Sequence, residues 1–528
     1  KYFKKKKESA LIMRKQTKLV AVLSAAALLA IGASMTSFAA TGWAEENGTW
    51  VYYDKDGYQV ENEWKKSGNN WFWLNEDGEM ATEALVEDGD DYYYVDANGV
   101  MVANRWVSIV NEEDEDDTPE NYWYYFQSNG KAYKAPESGK VQLKTINGKK
   151  YAFDQDGRML YGWVAADSAE RITSDDGWNA AADMYYFGDE NDGSMATNWQ
   201  KLTVYDDGEE DDMDYWFYFK SNGKKFFNEK DDKDFDTKKI NGKTYGFDNR
   251  GVMVKEWDAA TNSNSPTAAN YSYFGSADDG ARMTKGWFKV VPSDEFDESN
   301  NDDENEKWYY ANGDGTLEAG KLSKIKGKYY AFNEKGAMLS GLIRITVNSD
   351  DSINVLDDGV DADELDDLIN DKTSGGDLYY FGDGEDGSMK LGVQTVTLDG
   401  DNYSFFFTKT GGIEEKGAGL TGKYNKVLYK YGKKIKADAD DKYLVVKFDE
   451  SANTIEVVSS KDLRADTRSY KNDKNETVRA TNYDFTGCVL VTTSGSIVKT
   501  KSNCKDGNDW YFDVEDGVIT SYANNKNN

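Results

Sequence analysis

Histidine is absent from all 528 residues. That removes the commonest general base and metal ligand, and every serine–histidine or cysteine–histidine arrangement. Cysteine occurs only as Cys488 and Cys504, with no C-x-x-C spacing to mark a redox or metal motif. Proline is scarce, at 4. Basic residues are in deficit, 63 Lys and Arg against 96 Asp and Glu, a net charge of −33. Such a chain is repelled by nucleic acid and by anionic lipid, so neither is expected as a partner. The apolar stretch Leu19 to Ile31 is too short for a mature membrane span. It follows Arg14, Lys15 and Lys18 and precedes Ser37-Phe38-Ala39, the layout of an export signal that starts at Met13. Residues 1–39 are therefore expected to be a signal peptide with a spurious N-terminal extension. The mature chain is expected to be secreted, with no membrane insertion after cleavage.

What the chain has in abundance is aromatic residues and glycine. Tyr (36), Phe (23) and Trp (15) make up 14% of it, and glycine numbers 48. They recur in phase. Trp43, Trp64 and Trp106 keep a step of 21 residues with Leu85 in the missing slot; Trp50, Trp71 and Tyr92, and Gly57, Gly78 and Gly99, keep the same step. A fixed short period means one small unit copied along a line, more often a binding surface than an active site. The unit reads as an aromatic strand, Trp50-Val51-Tyr52-Tyr53, and a turn at Asp54-Lys55-Asp56-Gly57. Asp-Gly flanked by aromatic residues is a strong hairpin signal. One hairpin cannot bury its aromatic face alone, so repetition is required.

After Val110 the unit lengthens. Trp123-Tyr124-Tyr125-Phe126 returns as Trp216-Phe217-Tyr218-Phe219, 93 residues on, and as Trp308-Tyr309-Tyr310 after 92 more. Acidic insertions, Glu112 to Asp117, Asp206 to Asp214 and Asp294 to Glu306, are expected to be long loops. In Asp357 to Asp371, Leu365, Leu368 and Ile369 fall at helical spacing. The expected fold is all-β, a solenoid of tandem β-hairpin repeats with a small C-terminal β-rich domain. Its parts are short repeats at 41–110, elaborated repeats at 111–415, and a domain at 416–528 holding a hairpin over Tyr443 to Val458. Trp510-Tyr511-Phe512 and Gly517 read as a terminal repeat. An even cysteine count in an exported chain suggests a Cys488–Cys504 disulfide, contributing about 3 kcal/mol in the chain-entropy model; two free buried thiols are the alternative.

Gly42-Trp43, Gly48-Thr49-Trp50-Val51-Tyr52-Tyr53, Gly57 and Trp64 resemble the choline-binding, or cell-wall-binding, repeat of Gram-positive surface proteins. Ile146-Asn147-Gly148-Lys149-Lys150-Tyr151-Ala152-Phe153 is similar also to the receptor-binding repeats of clostridial toxins, and the glucan-binding tails of streptococcal glucosyltransferases share the pattern. The resemblance implies ligand sites between consecutive hairpins, where three aromatics cage a trimethylammonium group. Such a group has no donor protons, so aromatic faces select it by cation–π attraction. Carried onto this chain, the candidate cages are Trp43 and Trp50 with Trp71, Trp64 and Trp71 with Tyr92, Trp106 with Trp123, Trp199 with Trp216, and Trp287 with Trp308. Leu85 and Leu342 stand where a tryptophan is expected. At any hairpin interface an aromatic is more often core than cage.

Enzymatic readings find little footing. Residues 416–528 lack the imidazole that zinc amidases and cysteine peptidases use. Gly417 to Lys423 nearly matches a phosphate loop, but Tyr424 stands where Ser or Thr is needed. Asp54 to Gly57 reads as a turn rather than a calcium loop. The expectation is a non-catalytic protein without metal or cofactor, non-covalently associated with the cell wall. Its partner would be choline-substituted teichoic acid or polysaccharide. The alternatives are an adhesin or toxin-like module that binds glucan or host glycan, and a wall hydrolase with a cryptic C-terminal carboxylate site.

Overall fold

The computed structural model describes residues 41–112, 118–230, 234–259, 267–276, 283–302, 305–370 and 375–526. The expected signal segment and most of the acidic run Glu112 to Asp117 lie outside them. The chain divides into two units, residues 1–230 with 235–238 and 247–253, and residues 231–234 with 239–246 and 254–528. Among the described residues no helix is long and apolar enough to cross a membrane.

The fold is all-β and built from tandem hairpins. In the first unit the opening hairpin pairs Gly42–Glu46 with Thr49–Tyr53, and the next two pair Glu63–Ser67 with Asn70–Leu74 and Ala84–Asp88 with Asp91–Val95. Each is a separate two-stranded sheet. The turn that closes the first is not Asp54 to Gly57 but Asn47-Gly48, both at positive φ (53° and 86°). Such a turn matches the strand twist, and Asn and Gly are the residues that tolerate it. The Asp54 turn does a second job. Its Oδ1 accepts the N–H groups of Asp56 (2.8 Å) and Tyr58 (2.9 Å), folding the chain back so that Gln59 bridges to Tyr53. Asn75 and Asp96 make the same turn.

That second turn stitches neighbours together. Met80 N–H donates to the carbonyl of Trp50 in the preceding hairpin, and Met101 N–H to that of Trp71. The Met80 side chain lies under Gly99 of the following turn, and Met101 under Gly130; a Cβ at Gly130 would sit 2.5 Å from Met101 Sδ. The second unit repeats the stitch, with Met338 donating to Trp308 and lying under Gly387.

The insertions differ in kind. Asp206 to Asp214 is not a loop: two nine-residue strands, Asn198–Asp206 and Asp211–Phe219, run through it. Asp294–Asp297 is a short helix capped by Ser293. Ala362–Asn370 is the helix that the leucine spacing suggested; Leu365 and Leu368 pack with Leu342 and Phe405.

In the second unit one five-stranded sheet joins the hairpin Gly392–Leu398 and Asp401–Phe407 to Gly422–Tyr424, Val427–Lys430 and Lys433–Lys434, so pairing runs across residue 415. Tyr443–Asp449 and Thr454–Val458 pair as expected. Tyr511–Glu515 pairs with Val518–Ala523, but inside a five-stranded sheet rather than as an isolated terminal repeat. The suggested disulfide is absent: Cys488 and Cys504 are separate free thiols. Both are buried in one cluster with Leu490, Trp510 and Phe512, and burial pushes each thiol above its ordinary pKa. That environment suits structural, unreactive cysteines.

Gly130→Ala should destabilise the protein more than Gly48→Ala. Both force a Cβ into positive φ, about 1–2 kcal/mol. Only Gly130 adds a collision with Met101, a further ~1–3 kcal/mol, while nothing lies within 4 Å of a Cβ at Gly48. Urea midpoints of the two variants check this. A second outcome concerns Asp154, whose carboxyl burial pushes up to about 6 from 3.8. The folded state then holds more protons than the unfolded state between these values, so this group's contribution to stability is full below pH 3.8 and is lost as pH rises through 6. Asp154→Asn, which keeps the acceptor that Asn75 and Asn333 supply at the same turn position, should flatten that slope. It should also raise stability at pH 7 by about 1–3 kcal/mol, read from urea melts across pH 4 to 7.

Candidate functional site

Strand register decides which aromatics share a face. In the first hairpin Trp43 lies directly opposite Tyr52, and Glu45 opposite Trp50. Opposed residues, and residues two apart, point to the same side. Trp43, Glu45, Trp50 and Tyr52 therefore form one face. The same register recurs as Trp64 opposite Trp73 with Lys66 opposite Trp71, and as Trp106 opposite Tyr125 with Ser108 opposite Trp123. It recurs again as Trp199 opposite Tyr218 with Lys201 opposite Trp216, and as Trp287 opposite Tyr310 with Lys289 opposite Trp308. Leu85 opposite Tyr94 and Leu342 opposite Tyr380 keep the register with the indole missing.

The next hairpin supplies a further ring. Trp43 meets Phe72 edge-on at 5.2 Å, Trp64 meets Tyr93 at 5.1 Å, Trp106 meets Tyr151 at 4.9 Å and Trp287 meets Tyr330 at 4.8 Å. Trp199 stacks on Phe247 at 5.5 Å. Two pairs expected from the sequence stand at nearly right angles: Trp199 and Trp216 at 6.3 Å and 87°, Trp287 and Trp308 at 6.4 Å and 82°. Trp106 and Trp123 pack on one cluster with Tyr151 and Phe153.

The third walls differ from the expected ones by one residue. Phe72, not Trp71, meets Trp43; Tyr93, not Tyr92, meets Trp64. Adjacent strand residues point to opposite faces, so the 21-residue phase found the right strand and the wrong side of it. Trp71 instead belongs to its own hairpin's face, 40% exposed, with Lys66 Nζ 5.7 Å from its ring centre. Tyr92 faces Glu87 and has Lys134 Nζ over its ring at 5.9 Å. Tyr151 and Tyr330 are not among the cages expected from the sequence because Lys-x-Tyr-Ala-Phe hairpins carry no tryptophan.

Five aromatic corners result, at Trp43/Trp50/Phe72, Trp64/Trp71/Tyr93, Trp106/Trp123/Tyr151, Trp199/Trp216/Phe247 and Trp287/Trp308/Tyr330. Burial pushes the phenol pKa of Tyr93 and Tyr151 upward, so both rings stay neutral near pH 7. The polar residue opposite the second wall varies from Glu45 to lysines. Of these, Lys201 is paired with Asp214 (3.0 Å) and Lys289 with Glu385 (3.2 Å). Neutral aromatic faces flanked by carboxylates can hold a cation without hydrogen bonds, or stack on a sugar ring.

The family model described as "Choline-binding repeat" matches residues 40–83 and 60–106, and the one for the cell wall binding repeat matches 120–132, 209–225 and 302–317. Those segments of the chain are similar to repeats of these two kinds. Glucosyltransferase-S of Streptococcus mutans serotype c is 28% identical over 391 residues, 72% of this chain and 21% of that protein. The chain thus spans about a fifth of that relative's length. Among solved structures, CbpJ from Streptococcus pneumoniae TIGR4 is 17% identical at a TM-score of 0.37, covering 68% of this chain and 99% of that one. The modular autolysin LytC of Streptococcus pneumoniae, solved with a synthetic peptidoglycan ligand, is 20% identical at 0.31, covering 59% and 56%.

The walls are also core, and the two roles separate by position. Trp287→Ala removes contacts with Trp308, Tyr310, Tyr330 and Phe332 and should cost about 3 kcal/mol. Trp71→Ala, at an exposed rim, should cost less than ~1 kcal/mol. Urea midpoints of the two variants give the comparison.

Proposed function

We propose that this chain, which carries choline-binding repeats, is a secreted, non-catalytic protein that attaches to the cell wall without a covalent bond. Its ligand is the choline of teichoic acid or of a related polysaccharide. One observation carries the reading: five times, the first tryptophan of a hairpin meets a ring of the next hairpin, with a second aromatic of its own hairpin on the same face. A trimethylammonium group offers no hydrogen to donate, and only a corner of π faces recognises it well.

Magnitudes explain the repetition. Each face contributes about 0.5–2 kcal/mol, so three faces give a dissociation constant near ~1 mM. That is too weak for one site to hold a protein on a wall. Several sites along one chain raise the effective affinity by about 10² or more against a polymer of closely spaced cholines. The strongly acidic chain is repelled by phosphate-rich wall polymer, so attachment must come from these local contacts. Glu45, opposite Trp50, suits the first corner to a cation.

The second reading is glucan binding, favoured by the 391-residue likeness to Glucosyltransferase-S. Tyrosine and tryptophan faces also stack on sugar rings. The two readings part on a choline resin. The mature chain should bind immobilised choline and elute with free choline, and Trp287→Ala combined with Trp64→Ala should elute at lower concentration. Flow-through on choline with retention on a glucan resin would overturn the choline reading in favour of the second.

A further inference from the structure

The register that defines an open corner runs on through a hairpin whose corner is filled. In the second unit Trp257 lies opposite Tyr273, as Trp43 lies opposite Tyr52. Tyr271 takes the place of Trp50. Tyr309, from the next hairpin, takes the place of Phe72, 5.0 Å from Trp257 and inclined at 72°. All three walls are present. Here the acidic insertion folds back on them. Phe296, on the short helix Asp294–Asp297, lies edge-on to Trp257 at 5.2 Å and 89°, and 4.8 Å from Tyr271. The insertion is tied down around it. Trp257 Nε1 donates to Val291 O (2.8 Å), Asn301 Nδ2 to Pro292 O (2.8 Å), and Lys335 pairs with the buried carboxylate of Asp297 (2.5 Å).

We propose that Trp257, Tyr271 and Tyr309 form a latent quaternary-ammonium site, closed by Phe296 of the chain's own insertion; this rests on the choline reading of the open corners. Glu295, which accepts the Tyr271 hydroxyl, places a carboxylate at the rim where a cation would enter. The first unit closes a corner by another route. Trp163, opposite Tyr186, meets Phe217 at 5.1 Å. There the fully buried Lys225 brings its ammonium 5.6 Å from the Trp163 ring centre. Lys225 Nζ donates to the carbonyls of Trp178 (2.8 Å), Ala180 (3.1 Å) and Arg250 (2.7 Å). Trp178, on the insertion of that hairpin, packs edge-on to Phe217 at 5.7 Å. The amine of Lys225, which burial lowers to a pKa of about 7, thus lies over the Trp163 wall of that corner. At Trp257 an insertion makes the corner core, at Trp163 Met184 stands in the second-wall place beside Lys225, and the five corners described above are the proposed ligand sites.

Calorimetric titration of the full chain with free choline tests this. The wild-type protein should take up five equivalents, Phe296→Ala six, and Phe296→Ala with Trp257→Leu five again. Phe296→Val, which keeps an apolar anchor for the insertion, should show the sixth site even if the alanine variant fails to fold. Wild-type uptake with no added site in either folded Phe296 variant would overturn the latent site and leave the choline reading standing. No uptake by any of the proteins would overturn both.

Discussion

The hairpins of the repeat array depend on one short segment, the turn that follows the second strand. Residue two past the turn glycine, most often methionine, gives its N–H to an aromatic strand of the hairpin before it, as Met80 does to Trp50 and Met338 to Trp308. Its side chain fills the space under the glycine of the turn after it, as Met80 does at Gly99 and Met338 at Gly387. One residue therefore fixes three consecutive hairpins. A two-stranded ribbon has little stability alone, so this stitch supplies the order that isolated strands lack. Glycine is needed at these turns for two reasons, positive φ and the approach of a neighbour that a Cβ would strike.

Because the stitch fixes spacing and rotation from one hairpin to the next, it also fixes the corners. The carbonyl that receives the Met80 N–H belongs to Trp50, a wall of the first corner. On the proposed reading, packing and recognition use the same residues. Trp287 meets Tyr310 and Tyr330 edge-on and stacks on Phe332, while standing nearly at a right angle to Trp308. Such walls are held by core contacts before any ligand arrives, so little ordering entropy opposes binding.

Much of this was legible in the sequence. The phase of Trp43, Trp64 and Trp106 reported the repeat, and Leu85 and Leu342 were recognisable as substitutions within it, because the stitch repeats at fixed length. What the phase could not report was side. A strand alternates faces residue by residue, so Phe72 and Tyr93 hide beside the more conspicuous Trp71 and Tyr92. Nor did acidity distinguish structure from loop. Asp206 to Asp214 belongs to long strands because Leu202, Val204 and Phe217 bury the inner face beneath it. Asp294 to Asn300 forms helical turns because Phe296 anchors them on Trp257. Cys488 and Cys504 share a cluster without bonding; chain spacing reports proximity along the sequence, while strand placement decides which atoms meet.

The insertions show how the aromatic corners of a repeat array are filled without changing its scaffold. A corner keeps its register whether or not it is filled, since the register comes from the stitch and the strands. The filling side chain differs from corner to corner: the phenyl ring of Phe296 comes from an insertion, the amine of Lys225 from the stitch position itself, and the leucines packed on Leu342 from the helix Ala362–Asn370. Where the filling side chain is apolar, as with Phe296, its burial stabilises that hairpin by about 1.5–3 kcal/mol per large side chain. On the proposed reading, the number of unfilled corners, rather than the strength of any one of them, decides how firmly the chain holds a repeating polymer.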